Sequence, residues 1–292
     1  MLLLLLCVIV NALLSVIFKF FDKFHIDNKA AIAVNYIVCV ITGLVIFRHY
    51  EFFTSLWNQD WLWFAAILGF LFVFTFNMVA ITVQQHGLVV ATVFQRLSMI
   101  APALIAILIY GESSNFGKWL GIMVAFTSVI LLSMPAKGHQ VEANIKSPVR
   151  LWIFPIIVFL GSCLIDSGLY FLNHHQVIMP DDVSFICALF LFAGIFGFVQ
   201  LLLSSRKMKH NLTKKNILGG IALGIPNFFS IFLLLKVLNS GLEASLIFPT
   251  NNVGILMASA IFGVILFGEQ IKGRQFAGFL SAILSIILIS NG

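Results

Sequence analysis

Two ionisable residues stand inside long apolar runs, where a charge is costly and so is a functional candidate by default. Arg96 lies about eight residues into the run 88–110, roughly 12 Å from its end at about 1.5 Å per residue. Its stem can snorkel only part of that distance. The guanidinium is expected to face a watered cavity, where its forked donors would clamp a carboxylate or phosphate, or else to meet a structural partner. Asp166 is the acidic residue set deep in the run 151–172. Such an acid suits proton coupling or gating, with an ion pair to Arg96 as the alternative. Pro226-Asn227 and Pro249-Thr250-Asn251-Asn252 occupy two further runs. Proline removes a backbone donor and frees the carbonyl four residues earlier, so both helices are expected to kink or break at mid-membrane depth. Gln95, Asn11, Asn77, Asn227, Asn251 and Asn252 offer neutral donors and acceptors, with helix-to-helix hydrogen bonding as the competing role. Tyr170 would add an aromatic wall. The predicted substrate-binding set is therefore Arg96, Gln95, Asn227, Asn251, Asn252, Asn77, Asn11 and Tyr170, with Asp166 as the coupling or gating residue.

The elements that position these groups follow from composition. Of 292 residues, 61% are hydrophobic and 10% charged, against roughly 25% charged in a soluble domain. Polar residues cluster in short breaks between ten apolar runs, at about 2–21, 30–47, 61–82, 88–110, 116–134, 151–172, 183–203, 217–238, 242–267 and 274–290. About 20 apolar residues make a helix long enough to cross the hydrocarbon core. An all-α, multi-pass integral membrane protein of ten transmembrane helices is predicted. Met1 to Val10 lacks a basic n-region and a small-residue cleavage pattern, so it reads as the first spanning helix.

Alternate loops differ sharply in charge. One side carries thirteen basic residues (Lys19, Lys23, Lys29, Lys137, Lys146, Arg150, Arg206, Lys207, Lys209, Lys214, Lys215, Lys272 and Arg274) and the other three (Arg48, Lys118 and Lys236). The positive-inside rule assigns the first side to the cytoplasm and both termini to the outside of the inner (plasma) membrane. The formal charge of +6 is thus orientation and not nucleic-acid binding. Cys7, Cys39, Cys163 and Cys187 fall inside apolar runs without CxxC spacing, and the seven histidines lie at helix ends or in loops, so neither a metal nor a cofactor is implied.

The chain also repeats itself. Tyr110–Ser133 returns 157 residues later as Phe267–Ser290, with Gly111-Glu112 on Gly268-Glu269, Gly121 on Gly278, Ala125 on Ala282, Ser128 on Ser285 and Ser133 on Ser290. Upstream, Gly87-Leu88 with Phe94 answers Gly241-Leu242 with Phe248, and Asn11–Ser15 faintly echoes Ser162–Asp166. The unit holds five helices, and an odd unit makes the second copy enter the membrane from the opposite face. Two inverted repeats, 1–136 and 150–292, are expected around a cytoplasmic linker at 137–149. Gly117, Gly121 and Ala125, like Gly278 and Ala282, recur every four residues and suit close helix packing in lipid. Each Gly-Glu closes a helix, its Glu expected to cap the next helix or to pair with a base such as Lys118 or Arg274.

Ten runs, a five-helix inverted repeat, and Gly-Glu ending runs 4 and 9 before a Gly-rich helix resemble the drug/metabolite transporter (DMT) superfamily, EamA-like branch. The resemblance implies a ten-helix bundle with a cavity lined by helices 1, 3, 4, 6, 8 and 9, with 5 and 10 peripheral. It also favours export. One departure is the basic loop, which relatives often carry between helices 2 and 3 and which here holds only Arg48.

Rival classes lack their residues. An intramembrane aspartyl protease needs two membrane carboxylates, and a serine protease an intramembrane histidine. No GxxxxGK[ST] pattern appears for ATP-driven transport. A lipid-linked substrate flippase of the same fold is the alternative, with an intramembrane enzyme behind it. The expectation is a secondary transporter of small polar or amphiphilic metabolites, such as amino acids. It would work as a monomer or homodimer in the lipid bilayer, with possible proton coupling through Asp166.

Overall fold

Every apolar run folds into helix in the computed structural model, which describes residues 1–48, 52–86, 88–133, 152–179, 182–204, 213–268 and 273–291. The predicted linker at 137–149, Gly87 and Glu269 lie outside the described residues. The helices are α1 (Leu2–Phe24), α2 (Asn28–Ile46), the one-turn α3 (Phe52–Ser55), α4 (Leu62–His86), α5 (Leu88–Arg96), α6 (Ile100–Leu108), α7 (Phe116–Ser133), α8 (Ile153–His174), α9 (Val183–Ser204), α10 (Lys214–Leu238), α11 (Ala244–Phe267) and α12 (Gly273–Ser290). Among the described residues, eight helical segments are long and apolar enough to cross a membrane, and Ala30–Ile46 and Phe116–Leu132 are shorter apolar helices. The all-helical membrane class is as the sequence predicts.

The helices gather into two compact units that do not follow the sequence halves: 1–73 with 171–239, and 74–170 with 240–292. In the first, α10 packs on α1 and α2, and α2 packs on α9. Gly220 and Gly224 of α10 meet Val34 and Val38 of α2, so two successive turns interlock. A methyl on either glycine would fall within 2.5–2.6 Å of a valine Cβ, closer than atoms can approach. Lipid supplies no hydrophobic drive between helices, so this close approach is what holds the pair. Polar contacts reinforce it: Asn227 Nδ2 donates to Asn35 Oδ1 at 3.1 Å, and Cys39 Sγ to the Gly224 carbonyl at 3.3 Å.

In the second unit, α7 packs on α12 through the repeated small residues. A methyl on Gly121 would lie 3.0 Å from the Ile289 backbone nitrogen and from Leu288 Cβ. A methyl on Gly278 would lie 2.9 Å from the Leu132 nitrogen and 3.0 Å from Leu131 Cβ. The offset that carries Gly121 to Gly278 also carries Leu131 and Leu132 to Leu288 and Ile289. The contact is therefore reciprocal, the signature of a local two-fold axis. Because each glycine faces the far end of the partner helix, the two helices run antiparallel there. Ala125 and Ala282 are fully buried, as their spacing implies.

The Gly-Glu pairs have a backbone reason. Gly111 and Gly268 both adopt left-handed conformations, at φ +68° and +65°. Only glycine does so without strain, and at Gly268 the turn satisfies the last carbonyls of α11.

The expected breaks at Pro226 and Pro249 are not where the backbone gives way. Assigned helix runs uninterrupted through both prolines in α10 and α11. The interruption lies between α5 and α6, where Leu97–Met99 tightens into a 3₁₀ turn three residues before Pro102. Pro102 cannot donate to the Ser98 carbonyl, and its ring displaces that carbonyl. The freed oxygen instead accepts from Cys163 Sγ at 3.8 Å.

Candidate functional site

The 3₁₀ turn gathers the polar groups of the second unit. Arg96 ends α5 and is half-buried; its Nη1 donates to Asn252 Oδ1 of α11 at 3.3 Å. That is a long bond for a charged donor. Among the described residues Nε of Arg96 is buried without a hydrogen-bond partner, as are Thr250 Oγ1 and Asn251 Oδ1 on α11. Thr250, Asn251 and Asn252 are themselves buried. Asn252 Nδ2 is tied back to the Phe248 carbonyl at 3.1 Å, which fixes its amide oxygen toward Arg96. A guanidinium with five donors and one long bond has capacity left for a two-point contact with an anion.

Asp166 does not pair with Arg96. Its Oδ2 accepts from Ser98 Oγ at 2.7 Å, and the same hydroxyl lies 2.7 Å from the Gln95 carbonyl. Ser98 is buried in the turn, so one hydroxyl proton is shared between a helix carbonyl and a carboxylate. The Arg96–Asp166 ion pair considered from sequence is absent among the described residues, and the acid reads the 3₁₀ turn instead.

One helical turn beyond Asp166 on α8, Tyr170 is buried, with its ring against Tyr110 and Phe248. Its hydroxyl donates to Glu112 Oε1 at 3.2 Å. Glu112 caps α11: it accepts from the Ala244 and Ser245 amides at 2.7 and 2.9 Å and from Ser245 Oγ at 2.6 Å. Glu243 reciprocates, accepting from the Ser113 amide at 3.1 Å and from Ser113 Oγ at 2.7 Å. It also forms an ion pair with Lys118, which is 1% exposed. Lys118 Nζ further donates to the Ser113 carbonyl at 2.7 Å and to Ser113 Oγ at 3.0 Å. Partial desolvation pushes the Glu243 carboxyl up, but the bonds from Lys118 and Ser113 together outweigh it and hold the group below its ordinary value. Each glutamate thus anchors the start of the other's segment. Glu112 does not cap the helix that follows it, and Lys118 pairs with Glu243 and not with Glu112.

Of the remaining predicted residues, Asn77 and Gln95 are half-buried in the second unit. Asn11 and Asn227 belong to the first. Asn11 Nδ2 donates to the Cys7 carbonyl of its own helix at 2.9 Å, and Asn227 locks α10 to α2. The structure brings together Arg96, Gln95, Asn252 and Asp166 through the turn, and adds Ser98, Glu112 and Glu243. Ser98 was legible as a hydroxyl four residues before a proline in an apolar run. Glu243 was legible as an acid just ahead of one.

Known proteins resemble this chain in sequence and in fold. Residues 1–134 match the EamA-like transporter family. Along its length the chain is similar to an uncharacterized protein of Haemophilus influenzae, 27% identical over 288 residues, covering 97% of this chain and 95% of that protein. Its fold is similar to that of a solved crystal structure at 11% identity, with a TM-score of 0.80 over 99% of this chain and 96% of the other. The first 134 residues are thus similar to the EamA-like transporter family, and the apolar helices make the chain a multi-pass membrane protein.

Proposed function

We propose that this chain is a secondary transporter that exports small polar or amphiphilic metabolites bearing a carboxylate, such as amino acids, by alternating access. The observation that carries the reading is the under-satisfied guanidinium of Arg96 on Asn252, the neighbour in sequence of Thr250 and Asn251, whose Oγ1 and Oδ1 are buried without partners among the described residues. Buried polar groups normally find partners, so open valences on Arg96 and along one stretch of α11 are what a missing ligand would leave behind. Arg96 would clamp the carboxylate, and Asn251, Asn252 and Thr250 would take the remaining polar groups. In this reading Asp166 couples transport to protons; its hydrogen bond with Ser98 supports it, since a change in its protonation would act on the turn that carries Arg96.

The ten-helix inverted repeat, 1–136 and 150–292, is part of this reading. It is supported by the reciprocal, antiparallel Gly121 and Gly278 contacts, which an inverted duplication requires and a direct one forbids. The cytoplasmic placement of the thirteen-residue basic side rests on the charge count.

Flux of amino acids, nucleosides and sugar derivatives in liposomes, with and without a pH gradient, tests the proposal. Carboxylate-bearing substrates moving only with intact Arg96 are expected. Lipid scrambling without metabolite flux would favour a flippase and overturn it.

A further inference from the structure

At one end of the first unit, the last turns of α1 and the first turns of α10 frame an apolar groove of about 340 Å³. Phe20, Phe24, Leu218 and Ala222 form its walls, and Lys215 is the charged residue on its lining. Phe24, Leu218 and Ala222 are exposed, so the groove opens outward from the helices and not into their core. Its end is set by chain geometry: α1 finishes at Phe24 where α10 begins at Lys214. The Asp27 amide donates to the buried Asn216 Oδ1 at 3.1 Å, pinning the α1–α2 turn to the first turn of α10. Exposed Lys23, four residues before that bond, and exposed Lys214 and Lys215, just before Asn216, therefore share one rim. Asp27 Oδ1 is engaged with the Ala30 amide at 3.4 Å, capping α2. The segments 19–29 and 214–215 carry five lysines against two aspartates.

An apolar trough ending in a cationic rim at the head of spanning helices matches an amphiphile with an anionic head. A second apolar helix fits poorly, because it would bury Lys215 without a counter-charge. We propose that this groove seats one anionic phospholipid, its acyl chain over Phe20, Phe24, Leu218 and Ala222 and its phosphate against Lys215, Lys214 and Lys23. The site is separate from the Arg96 cluster and does not rest on the transport reading.

Native mass spectrometry of the detergent-purified chain tests it, titrating phosphatidylglycerol against phosphatidylcholine of the same acyl chains. The first lipid retained is expected to be phosphatidylglycerol, by at least about tenfold in affinity. Ala222→Trp should fill the trough from its exposed side and lose that preference. Lys214→Gln with Lys215→Gln should lose it as well, with Lys215→Arg retaining it. Equal retention of the two lipids, an unchanged preference in both loss variants, or displacement of the lipid by inorganic phosphate would each overturn the proposal. Should Ala222→Trp fail to fold, the lysine variants decide the question alone, since they alter only exposed side chains.

Discussion

Replacing Arg96 by methionine separates a ligand-binding cation from a structural one. Among the described residues Arg96 makes one hydrogen bond, 3.3 Å long, to Asn252 Oδ1, while its Nε is buried without a partner and no carboxylate lies within salt-bridge distance. Losing that bond orphans the Asn252 oxygen, a cost of about 1–3 kcal/mol. Against this, the variant relieves a partly desolvated ion that has no salt-bridge partner among the described residues and only Asp166 acting on it from further off; the full burial penalty is several kcal/mol, and a half-buried group bears part of it. The two effects oppose, so Arg96→Met should unfold within about 2 kcal/mol of wild type while losing carboxylate flux. Lys118 is the internal control. It is 1% exposed and is held by Glu243, the Ser113 carbonyl and Ser113 Oγ. Lys118→Met therefore has no relief to set against its lost bonds and should cost about 1–3 kcal/mol, limited because Glu243 can turn to water. Denaturant unfolding in detergent and flux in liposomes measure both quantities on the same preparations. If Arg96→Met loses more than about 3 kcal/mol, or keeps full flux, Arg96 is not the substrate clamp.

Other outcomes follow from the same geometry. Glu112→Ala strips three hydrogen bonds from the start of α11 and strands the fully buried Ser245 hydroxyl, so it should lower stability by about 2–3 kcal/mol in denaturant melts; Glu112→Gln, which keeps an acceptor, should cost about half as much. The Glu243 carboxyl is held below its ordinary value of 4.5, so its clasp contributes fully above that pH and is lost as pH falls through the lowered value; melts between pH 6 and 3 should show a drop that Glu243→Gln abolishes. Gly121→Leu and Gly278→Leu occupy equivalent places in one reciprocal contact and should destabilise to the same extent, each by about 1–3 kcal/mol, a parity that unfolding midpoints check. Asp166→Asn should flatten the pH dependence of transport while leaving the Ser98 hydrogen bond geometrically available; a profile identical to wild type would make Asp166 a structural partner of the turn.

The legible parts of this chain are the ones written in local pattern. Helix positions follow from runs of about 20 apolar residues, and the repeat marked Gly111 and Gly268 as helix-closing and the small residues of α7 and α12 as packing positions. The unit division does not follow the sequence halves, and the proposed inverted copies would account for it by interleaving their helices. What escaped was set by distant partners. Pro226 and Pro249 looked like hinges because a proline's effect is local, yet assigned helix continues through both. The backbone changed form ahead of Pro102, where Cys163 on α8 was available to take the freed Ser98 carbonyl. No spacing within α5 or α6 could reveal a donor 65 residues away. The same holds for Glu112, whose nearest cationic neighbour in sequence is Lys118 but whose partners are the amides of α11.

The two buried cations show how far a sequence can mislead and then how the structure repairs the inference. Arg96 looked functional because it interrupts an apolar run, and Lys118 looked like one more charge at a helix end, counted toward orientation. Their partners reverse neither role for Arg96 nor the direction of the count, but they change what Lys118 means. A lysine that is 1% exposed and bound on three sides is neutralised within the fold, so it exerts little pull on topology compared with a solvated loop lysine. Removing it leaves Arg48 and Lys236 against thirteen basic residues, and the asymmetry behind the proposed orientation widens. Accessibility labelling of a cysteine placed at Ser114, in the exposed loop beside Lys118, should then report the outer face; labelling from the cytoplasmic side instead would show that the thirteen lysines and arginines do not set how this chain inserts.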